Sequence, residues 1–306
     1  MTKQPRIGFV LSSGGVRGIF AHTGFLQAIA ELGIPVVAGA GCSAGAIVGG
    51  IAASGADLDE WAQSLTNATS RDFWTPDSLW RLLWNMIVKR GRGYTGLSGT
   101  GAAQAFCRDN LAVQKFEDCL YPFFTVAISL ARSEKEIFSS GELAPRMVAS
   151  AAMPVLYRPV PIAGDLYCDG ALIDLAPMDA VCCKQSLDVV LVHHVSRHTE
   201  SGIPALQQAL VKPWTIGTLL DRILYHHRPW YLGDQAISFQ RCRCGCSAVI
   251  VVLEPKLITM EWPLTKDGPA MLESAKTQAF ALLGPYLHRI MANPRVDLPG
   301  STSSVA

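Results

Sequence analysis

The first 55 residues of this 306-residue chain contain two apolar runs. Each run is followed at once by a glycine-rich turn and then by a helical pattern. The first run, RIGFVL at residues 6–11, leads into SSGG, and the second, IPVVAGA at residues 34–40, leads into GCSAG. Apolar runs of this length are typical of buried strands, and Phe25, Leu26 and Ile29 then recur at helical spacing. Alternating strands and helices favour parallel strands covered by helices. The sequence therefore predicts a three-layer α/β/α fold with a mostly parallel central sheet.

The remainder of the chain contains no linker that would divide it. Further elements are predicted as a strand hairpin at 121–130 and 134–139, a helix at 144–152, strands at 187–193 and 248–253, and a helix at 268–291. We expect a single domain over residues 1–292, in which residues 57–110 form a tryptophan-rich helical cover or lid. Residues 293–306 are polar and are expected to be a flexible C-terminal tail.

The composition indicates an apolar, nearly neutral protein. Apolar residues make up 49% of the chain and charged residues 17%, which argues against a disordered polypeptide. The formal net charge of +1 lacks the basic excess that is typical of nucleic-acid-binding proteins. No signal-peptide core precedes the first glycines, and no apolar stretch reaches the ~18 residues of a membrane-spanning helix. We therefore expect a cytoplasmic protein without a nucleic-acid partner.

The pentapeptide Gly41-Cys42-Ser43-Ala44-Gly45 fits the pattern G-x-S-x-G. In this motif a serine occupies a strained strand-to-helix turn that projects its hydroxyl from the sheet, and the glycines allow close approach of neighbouring backbone. The string alone is weak, because a plain glycine-flanked turn also produces it. The apolar strand before it and the small-residue helix after it are the context that the motif requires, so Ser43 is predicted to be a nucleophile.

The first glycine-rich turn, SSGGVRG at residues 12–18, admits three interpretations: a phosphate cradle, an oxyanion hole or a structural turn. A dinucleotide site is disfavoured, because Ser13 stands where G-x-G-x-x-G has its first glycine and no acid ends the second strand. The Lys-Ser/Thr pair of a P-loop is also absent. With a serine elbow one strand away, the oxyanion hole is the favoured interpretation.

A nucleophilic serine needs a base, and two candidates follow it in the chain. His193 and His194 come after Asp169, so the order serine, acid, histidine of the α/β-hydrolases could be met. That layout normally has several strands before the nucleophile, whereas about two precede Ser43 here. The early serine therefore argues against a histidine-containing triad.

Three blocks in this order resemble the patatin-like phospholipases. They are LSSGGVRG at residues 11–18, GCSAG at 41–45, and ASAAMP at 149–154 continued by YCDGA at 167–171. The ordered combination is far more specific than any single string, and it spans more than half of the chain. The resemblance implies the patatin-like α/β/α fold.

The resemblance also implies a catalytic dyad without histidine. Ser43 would attack the ester carbonyl, and Asp169 would accept the serine proton and later activate water. The oxyanion would be held by the backbone N–H groups of Gly14, Gly15 and Val16. The other motif residues are expected to support this geometry, and they are Arg17, Gly18, Gly41, Gly45 and Gly170.

The expected activity is hydrolysis of carboxylic ester bonds in lipids, of the phospholipase A, lysophospholipase or esterase type, with no metal or organic cofactor. Two alternatives stay open: a Ser-His-Asp esterase that uses His193 or His194, and a catalytically silent family member that acts as a binding module. Asp169-Gly170 alone would also be an ordinary turn. One departure from the family is Ser13, which fits only if its backbone keeps a negative φ.

The run Cys242-Arg243-Cys244-Gly245-Cys246 invites a metal interpretation. Its alternating cysteines do not match the usual C-x₂-C spacing, and no paired block lies nearby, since residues 182–183 could join only through the fold. The sequence therefore favours reduced thiols and no metal.

Residues 80–92 combine apolar and aromatic side chains with a basic end. Trp80, Leu83, Trp84, Ile87 and Val88 share one side of a predicted helix that ends in KRGR. Such a segment suits peripheral contact with a membrane surface, and a similar pattern recurs at residues 214–223. By base rate the favoured interpretation is a helix that packs its tryptophans into the core, and membrane contact is the competing hypothesis.

Overall fold

The computed structural model of the protein describes residues 4–182, 184–195, 229–246, 248–258 and 266–292. The predicted tail at 293–306 and the amphipathic pattern at 214–223 therefore lie outside the described residues. The strands are β1 (Ile7–Leu11), β2 (Val36–Cys42), β3 (Thr75–Pro76), β4 (Gly96–Gly99), β5 (Phe123–Ser129), β6 (Glu134–Phe138), β7 (Val155–Tyr157), β8 (Val160–Ile162), β9 (Asp165–Asp169), β10 (Val189–His193), β11 (Ile237–Arg241) and β12 (Val249–Leu253).

A mostly parallel central sheet dominates the described part of the chain. Its strand order is β11-β12-β10-β1-β2-β5-β9-β8, and β6 also pairs with β5. The five central strands from β12 to β5 run parallel to one another, whereas β11, β6, β9 and β8 add antiparallel pairs. A small separate sheet has the order β3-β4-β7. The predicted α/β fold with a mostly parallel central sheet is thus confirmed.

Helices cover the sheet and follow several of its strands directly. They are α1 (Gly15–Glu31), α2 (Ala44–Ala53), α3 (Leu58–Asn67), α4 (Ser70–Phe73), α5 (Leu79–Leu83) with a π-helical continuation (Trp84–Val88), α6 (Gly101–Asn110), α7 (Leu143–Ala151), α8 (Gly268–Leu283) and α9 (Leu287–Ala292). Short 3₁₀ turns occur at Phe116–Asp118, Gly170–Leu172, Met178–Ala180 and Gly284–Tyr286. No helix in these ranges has the length and apolar character that a membrane crossing requires.

Both faces of the central strands are buried, which explains their continuous apolar sequences. All five residues of β1 are buried. Phe9 and Leu11 belong to a core that includes Phe25 of α1, whereas Val10 packs in a second core with Met178. A strand with one solvent-facing side would instead alternate polar and apolar residues.

The predicted helical cover at 57–110 is only partly helical. Helices α3, α4, α5 and α6 lie within it, but β3 and β4 interrupt them. Strand β3 pairs with β4, and β4 also pairs with β7. The prediction of a helix over 268–291 also needs correction, because α8 ends at Leu283 and a 3₁₀ turn at Gly284–Tyr286 precedes α9. Pro285 has no N–H to continue the α-helical hydrogen bonds, which accounts for the break.

Candidate active site

Ser43 occupies a strained turn between β2 and α2. Its φ of 54° and ψ of −117° lie in a region that residues with a side chain rarely adopt. Strand β2 ends one residue earlier at Cys42, and α2 begins one residue later at Ala44. The turn places the serine between the end of the strand and the start of the helix, so the partial positive charge of the helix N-terminus lies next to it.

The two glycines of the pentapeptide allow this turn to form. A Cβ atom on Gly41 would lie 2.1 Å from the carbonyl oxygen of Gly45, and one on Gly45 would lie 2.2 Å from that of Leu11. Both distances are far below contact, so the backbone at 41–45 would have to move if either residue carried a side chain. The glycines expected to support the serine therefore have a steric reason to be glycine.

Asp169 reaches Ser43 from the other side of β5. Strand β2 pairs with β5 at Cys42 and Val126, and β9 pairs with β5 at Asp169 and Ala127. Strand β2 is parallel to β5 and β9 is antiparallel to it, so the ends of both strands flank neighbouring positions of β5. A Cβ on the next residue, Gly170, would lie 2.4 Å from the carbonyl oxygen of Val126, so only glycine fits where the chain leaves β9.

The hydroxyl of Ser43 donates a hydrogen bond of 2.9 Å to Oδ2 of Asp169. Oδ1 of Asp169 accepts the backbone N–H of Ala171 at 2.9 Å, which fixes the carboxyl group. Ser43 is 6% exposed and Asp169 is 1% exposed. Burial raises the pKa of Asp169 to about 7, although the hydrogen bonds from Ala171 and Ser43 act to lower it.

Ser150 is a further residue at the site, and sequence analysis gave it no role. Its buried hydroxyl oxygen on α7 accepts the backbone N–H of Ser43 at 2.9 Å. The backbone N–H of Asp169 in turn donates to the carbonyl of Ala152, directly after α7, at 3.0 Å. Helix α7 therefore holds both members of the serine–aspartate pair. Its position three residues before the MP dipeptide of the third block was the available signal.

The first glycine turn lies beside the serine elbow. Strands β1 and β2 are parallel neighbours that pair Leu11 with Gly41, so α1 and α2 begin at the same edge of the sheet. A Cβ on Gly18 would lie 2.9 Å from the Cβ of Ala44, so the first turns of the two helices are in close contact. The N–H groups of a first helical turn have no partner within the helix, and α1 begins at Gly15, with Gly14 as its N-cap.

Within this turn, Gly15 has a φ of +58°, which favours glycine. Ser13, the departure from the family pattern, is absent from the positive-φ residues, so the condition for a serine there is met. Its N–H donates to the carbonyl of Leu175 at 2.8 Å. The adjacent Ser12 accepts the N–H of Val195 through its hydroxyl at 2.9 Å, which ties the turn to the end of β10.

The histidines of the alternative triad make other contacts. His193 pairs through Nδ1 with Nδ1 of His22 at 2.8 Å and stacks on Phe25. His194 pairs through Nδ1 with the hydroxyl of Tyr231 at 3.1 Å. Burial lowers the pKa of His22 to about 4 and also lowers that of His193. The hydrogen bond of the serine hydroxyl thus goes to a carboxylate, and His22 is buried and hydrogen-bonded at both ring nitrogens.

Comparison with known proteins identifies the family of this chain. The profile of the family described as Patatin-like phospholipase matches residues 9–181, more than half of the chain. The chain belongs to the patatin-like phospholipase family. The resemblance predicted from the three sequence blocks is therefore confirmed, and hydrolysis of lipid esters is the class of activity to consider.

Curated relatives cover similar parts of this patatin-like chain. Lysophospholipase NTE1 of Cryptococcus neoformans is 32% identical over 188 residues, which are 61% of this chain and 11% of that protein. An uncharacterized NTE family protein of Mycobacterium bovis is 34% identical over 180 residues, 58% of this chain and 46% of that protein. The chain thus spans less than half the length of either relative.

A solved structure supports the fold of this patatin-like protein. Human GIVD cytosolic phospholipase A2 superposes with a TM-score of 0.52 at 10% identity. The alignment covers 94% of this chain and 62% of the human one. At this identity the likeness concerns the fold alone.

Proposed function

We propose that this protein hydrolyses carboxylic ester bonds of lipids through an acyl-enzyme on Ser43. The observation that carries the proposal is the buried 2.9 Å hydrogen bond from the Ser43 hydroxyl to Asp169. A carboxylate with a pKa of about 7 is a much stronger base than an ordinary aspartate, and it is still available in its ionised form near neutral pH. Membership of a phospholipase family supports lipid esters as the substrate class.

In the first half-reaction, Ser43 Oγ forms a bond to the ester carbonyl carbon while its proton moves to Oδ2 of Asp169. Negative charge develops on the carbonyl oxygen, and the N–H groups of Gly14, Gly15 and Val16 would stabilise it. When the tetrahedral intermediate collapses, the bond to the alcohol breaks, and the alcohol leaves with the proton held by Asp169. The product is an ester between the acyl group and Ser43.

In the second half-reaction, Asp169 takes a proton from water as the water oxygen attacks the acyl carbon. The same N–H groups would hold the second oxyanion. Its collapse breaks the bond to Ser43 Oγ, which regains the proton from Asp169, and the carboxylic acid is released. One water is consumed for each ester cleaved, and the two residues return to their starting protonation states.

An apolar cavity beside these residues supports an acyl chain as part of the substrate. The cavity has a volume of about 50 Å³ and is lined by apolar side chains, among them Val16, Ile19, Ile47, Trp61, Ala103 and Phe106. Val16 is one of the proposed oxyanion residues, and the N–H of Ile47 donates to the carbonyl of Ser43 at 3.2 Å. An acyl group attached to Ser43 would therefore find an apolar wall one helical turn away.

We further propose that an exposed apolar patch contacts the lipid surface. The patch consists of Leu79, Trp80, Leu83, Trp84, Met86, Ile87 and Val88, which lie on α5 and its π-helical continuation. Trp80 is 82% exposed and Ile87 is 71% exposed, so the core-facing helix that base rates favoured is wrong for this segment. Exposed Lys89 and Arg90 follow the patch, and basic residues beside apolar ones favour anionic lipid surfaces.

Labelling with a fluorophosphonate tests the catalytic proposal, because this reagent phosphonylates an activated serine. The wild-type protein is expected to lose ester hydrolysis in step with labelling, and mass spectrometry should locate the adduct on Ser43. Ser43→Ala should not be labelled. A folded wild-type protein that neither reacts with the reagent nor cleaves p-nitrophenyl esters or lysophospholipids would instead identify a silent binding module.

A further inference from the structure

Four cysteines meet at a place remote from the proposed catalytic residues. Cys242, Cys244 and Cys246 lie in the turn between β11 and β12, and Cys182 follows the 3₁₀ turn at Met178–Ala180. Their four Sγ atoms all lie within 4.8 Å of one another. The spacing of the three turn cysteines argued against a metal site, but the fold supplies a fourth sulfur from 60 residues away. We call these four residues the cysteine cluster.

The cysteine cluster lies at the opposite end of the parallel strands from the serine. Val249, the first residue of β12, pairs with Val189, the first residue of β10, which pairs with Ile7 at the start of β1. Ser43, by contrast, follows the last residue of β2. An ion bound by the cluster would therefore have no access to the reacting ester, and its role would be structural.

The sulfur positions fit a single tetrahedral ion. Zinc–sulfur bonds of ~2.3 Å place the sulfurs of a tetrahedral tetrathiolate about 3.8 Å apart. Sγ of Cys182 lies 3.4 Å from that of Cys242 and 3.6 Å from that of Cys244. Cys242 and Cys244 are closer, at 2.8 Å. The sulfurs are thus gathered from two separate segments into the volume that one ion would occupy.

The cluster is partly buried, and its Cys244 is exposed. Cys182 is buried within the second core, and Cys242 and Cys246 are half-buried against it. Four thiolates around a divalent ion carry a net charge of −2. Three cationic residues, Lys184, Arg241 and Arg243, lie within two residues of the cluster cysteines along the chain and would offset this charge.

Cys244 is disulfide-bonded in this structure, whereas Cys182, Cys242 and Cys246 are not in a disulfide. An oxidised Cys244 is therefore the competing state of the cluster, and only its reduced form offers a fourth thiolate. The expectation of reduced thiols throughout this region does not hold for Cys244.

We propose that, once Cys244 is reduced, the cysteine cluster binds one Zn²⁺ in a closed tetrahedral site. Reduction of the disulfide by a thiol or phosphine reductant supplies two electrons and two protons, and the four thiols then release their protons as they bind the ion. Four sulfur ligands favour zinc over the hard ions magnesium and calcium. The ion would connect the β11–β12 hairpin, which includes the edge strand β11 of the central sheet, to the segment that follows Ala180.

Metal analysis of reduced protein tests the proposal. Wild type, Cys182→Ser and the control Cys119→Ser are purified without chelator, treated with a phosphine reductant and Zn²⁺, and desalted. Cys119 is a free thiol outside the cluster. We expect about one zinc per chain in wild type and Cys119→Ser, and at least about ten-fold less in Cys182→Ser. Equal zinc in wild type and Cys182→Ser, or no zinc in reduced wild type, would overturn the proposal.

Cobalt substitution keeps the test decisive if Cys182→Ser does not fold, because it needs only the wild-type chain. Co²⁺ added to the reduced protein should give the intense visible d–d bands and near-ultraviolet sulfur charge-transfer bands of tetrahedral thiolate coordination, and Zn²⁺ should abolish them. Weak bands typical of octahedral oxygen coordination would refute the site. Removal of the ion should lower the melting temperature of the protein. Below that temperature, fluorophosphonate labelling of Ser43 should not change. Loss of labelling on removal of the ion from folded protein would refute a structural role.

Discussion

Nδ1 of His22 lies 2.8 Å from Nδ1 of His193, and Nε2 of His22 lies 2.7 Å from the carbonyl oxygen of Ser12. A carbonyl oxygen only accepts, so the Nε2 of a neutral His22 carries the proton and its Nδ1 must accept one from His193. Nε2 of His193 is then a buried acceptor, and it has no hydrogen-bond partner among the described residues. The pair braces the first glycine turn through Ser12, which gives both histidines a structural role.

This arrangement predicts that His193→Ala will reduce stability more than catalysis. The substitution leaves Nδ1 of His22 unsatisfied and removes the stack on Phe25, which should cost about 1–3 kcal/mol of unfolding free energy. The turnover number of the folded variant should stay within about ten-fold of wild type, because imidazole is not the proposed base. Chemical denaturation and initial-rate assays below the melting temperature separate the two effects.

Ser43→Ala and His194→Ala serve as references for that measurement. The serine variant should have no detectable acyl-enzyme turnover, whereas His194→Ala should retain most activity. If folded His193→Ala or His194→Ala is as inactive as Ser43→Ala, the triad esterase replaces the dyad, since a triad depends on its imidazole as much as on its serine.

The rate of ester hydrolysis should depend on one ionisation near neutral pH. Because burial raises the pKa of Asp169 to about 7, the carboxyl is protonated and unable to accept the serine proton at lower pH. We expect kcat/KM to rise about ten-fold per pH unit below that value and to level off above it. His22 has a pKa of about 4 and stays neutral across this range. A pH-independent rate between 5 and 8, measured on folded protein, would contradict the assignment of Asp169 as base.

Asp169→Asn should be less active but more stable at alkaline pH. Losing the base should lower the rate by ~10²–10⁴-fold. The unfolded carboxyl loses its proton near ~3.9, whereas the folded one keeps it up to about 7, so wild-type stability falls as pH rises between these values. Asparagine avoids the buried charge, and the variant should gain about 2–4 kcal/mol at pH 8 and little at pH 4. Urea unfolding at both pH values measures this.

Asp165 offers a matched control with the opposite sign. The hydrogen bond from the Ser129 hydroxyl contributes most to lowering the pKa of Asp165, so its ionised form stabilises the fold above the pKa of the unfolded residue. Asp165→Asn should therefore be less stable than wild type at neutral pH, with a deficit that shrinks as the carboxylate is protonated in acid. A loss of stability in Asp169→Asn at pH 8 would show that the Asp169 carboxylate is not destabilised by burial.

The strands and the turn around Ser43 could be predicted from the sequence, because burial of the strands and the glycines of the turn leave a pattern in neighbouring residues. The run at residues 6–11 is apolar throughout since both faces of β1 are buried, and the turn at Ser43 needs glycines that the sequence displays at 41 and 45. The strand β9 was not predicted. Its sequence DLYCD has no strong strand signal, and its place depends on pairing with β5.

Contacts between distant parts of the chain also explain what the sequence did not predict: two short strands, the role of Ser150 and the fourth cysteine of the cluster. Thr75–Pro76 and Gly96–Gly99 contain proline and glycine, which strands normally disfavour. They form strands by pairing with each other, and β4 also pairs with β7. The role of Ser150 depends on the contact of α7 with the turn at Ser43, which sequence spacing does not show. The spacing of the three turn cysteines could not reveal Cys182, whose sulfur arrives from another part of the chain.

Narrowing the apolar cavity should shift substrate preference toward short acyl chains. Ala103 lines the cavity from α6 and is buried, so Ala103→Leu would fill part of its ~50 Å³. One or more excluded methylene groups should change relative kcat/KM for long against short p-nitrophenyl esters by about ten-fold or more. Ala105→Leu, on the same helix and outside the cavity lining, is the control. An unchanged chain-length profile in Ala103→Leu would exclude the cavity as the acyl site.

Trp84→Glu should weaken binding to anionic vesicles without changing hydrolysis of a dissolved short-chain ester. Trp84 is 59% exposed in the apolar patch, and a carboxylate there would face the headgroups without removing a core contact. Leu120→Glu is the matched control: Leu120 is 74% exposed, and its N–H donates to the carbonyl of Ala53 at the end of α2 opposite to Ser43. In a flotation assay, a smaller fraction of Trp84→Glu than of wild type or Leu120→Glu should therefore float with the anionic vesicles. Equal flotation of all three, or none by wild type, would mean that the patch does not bind lipid.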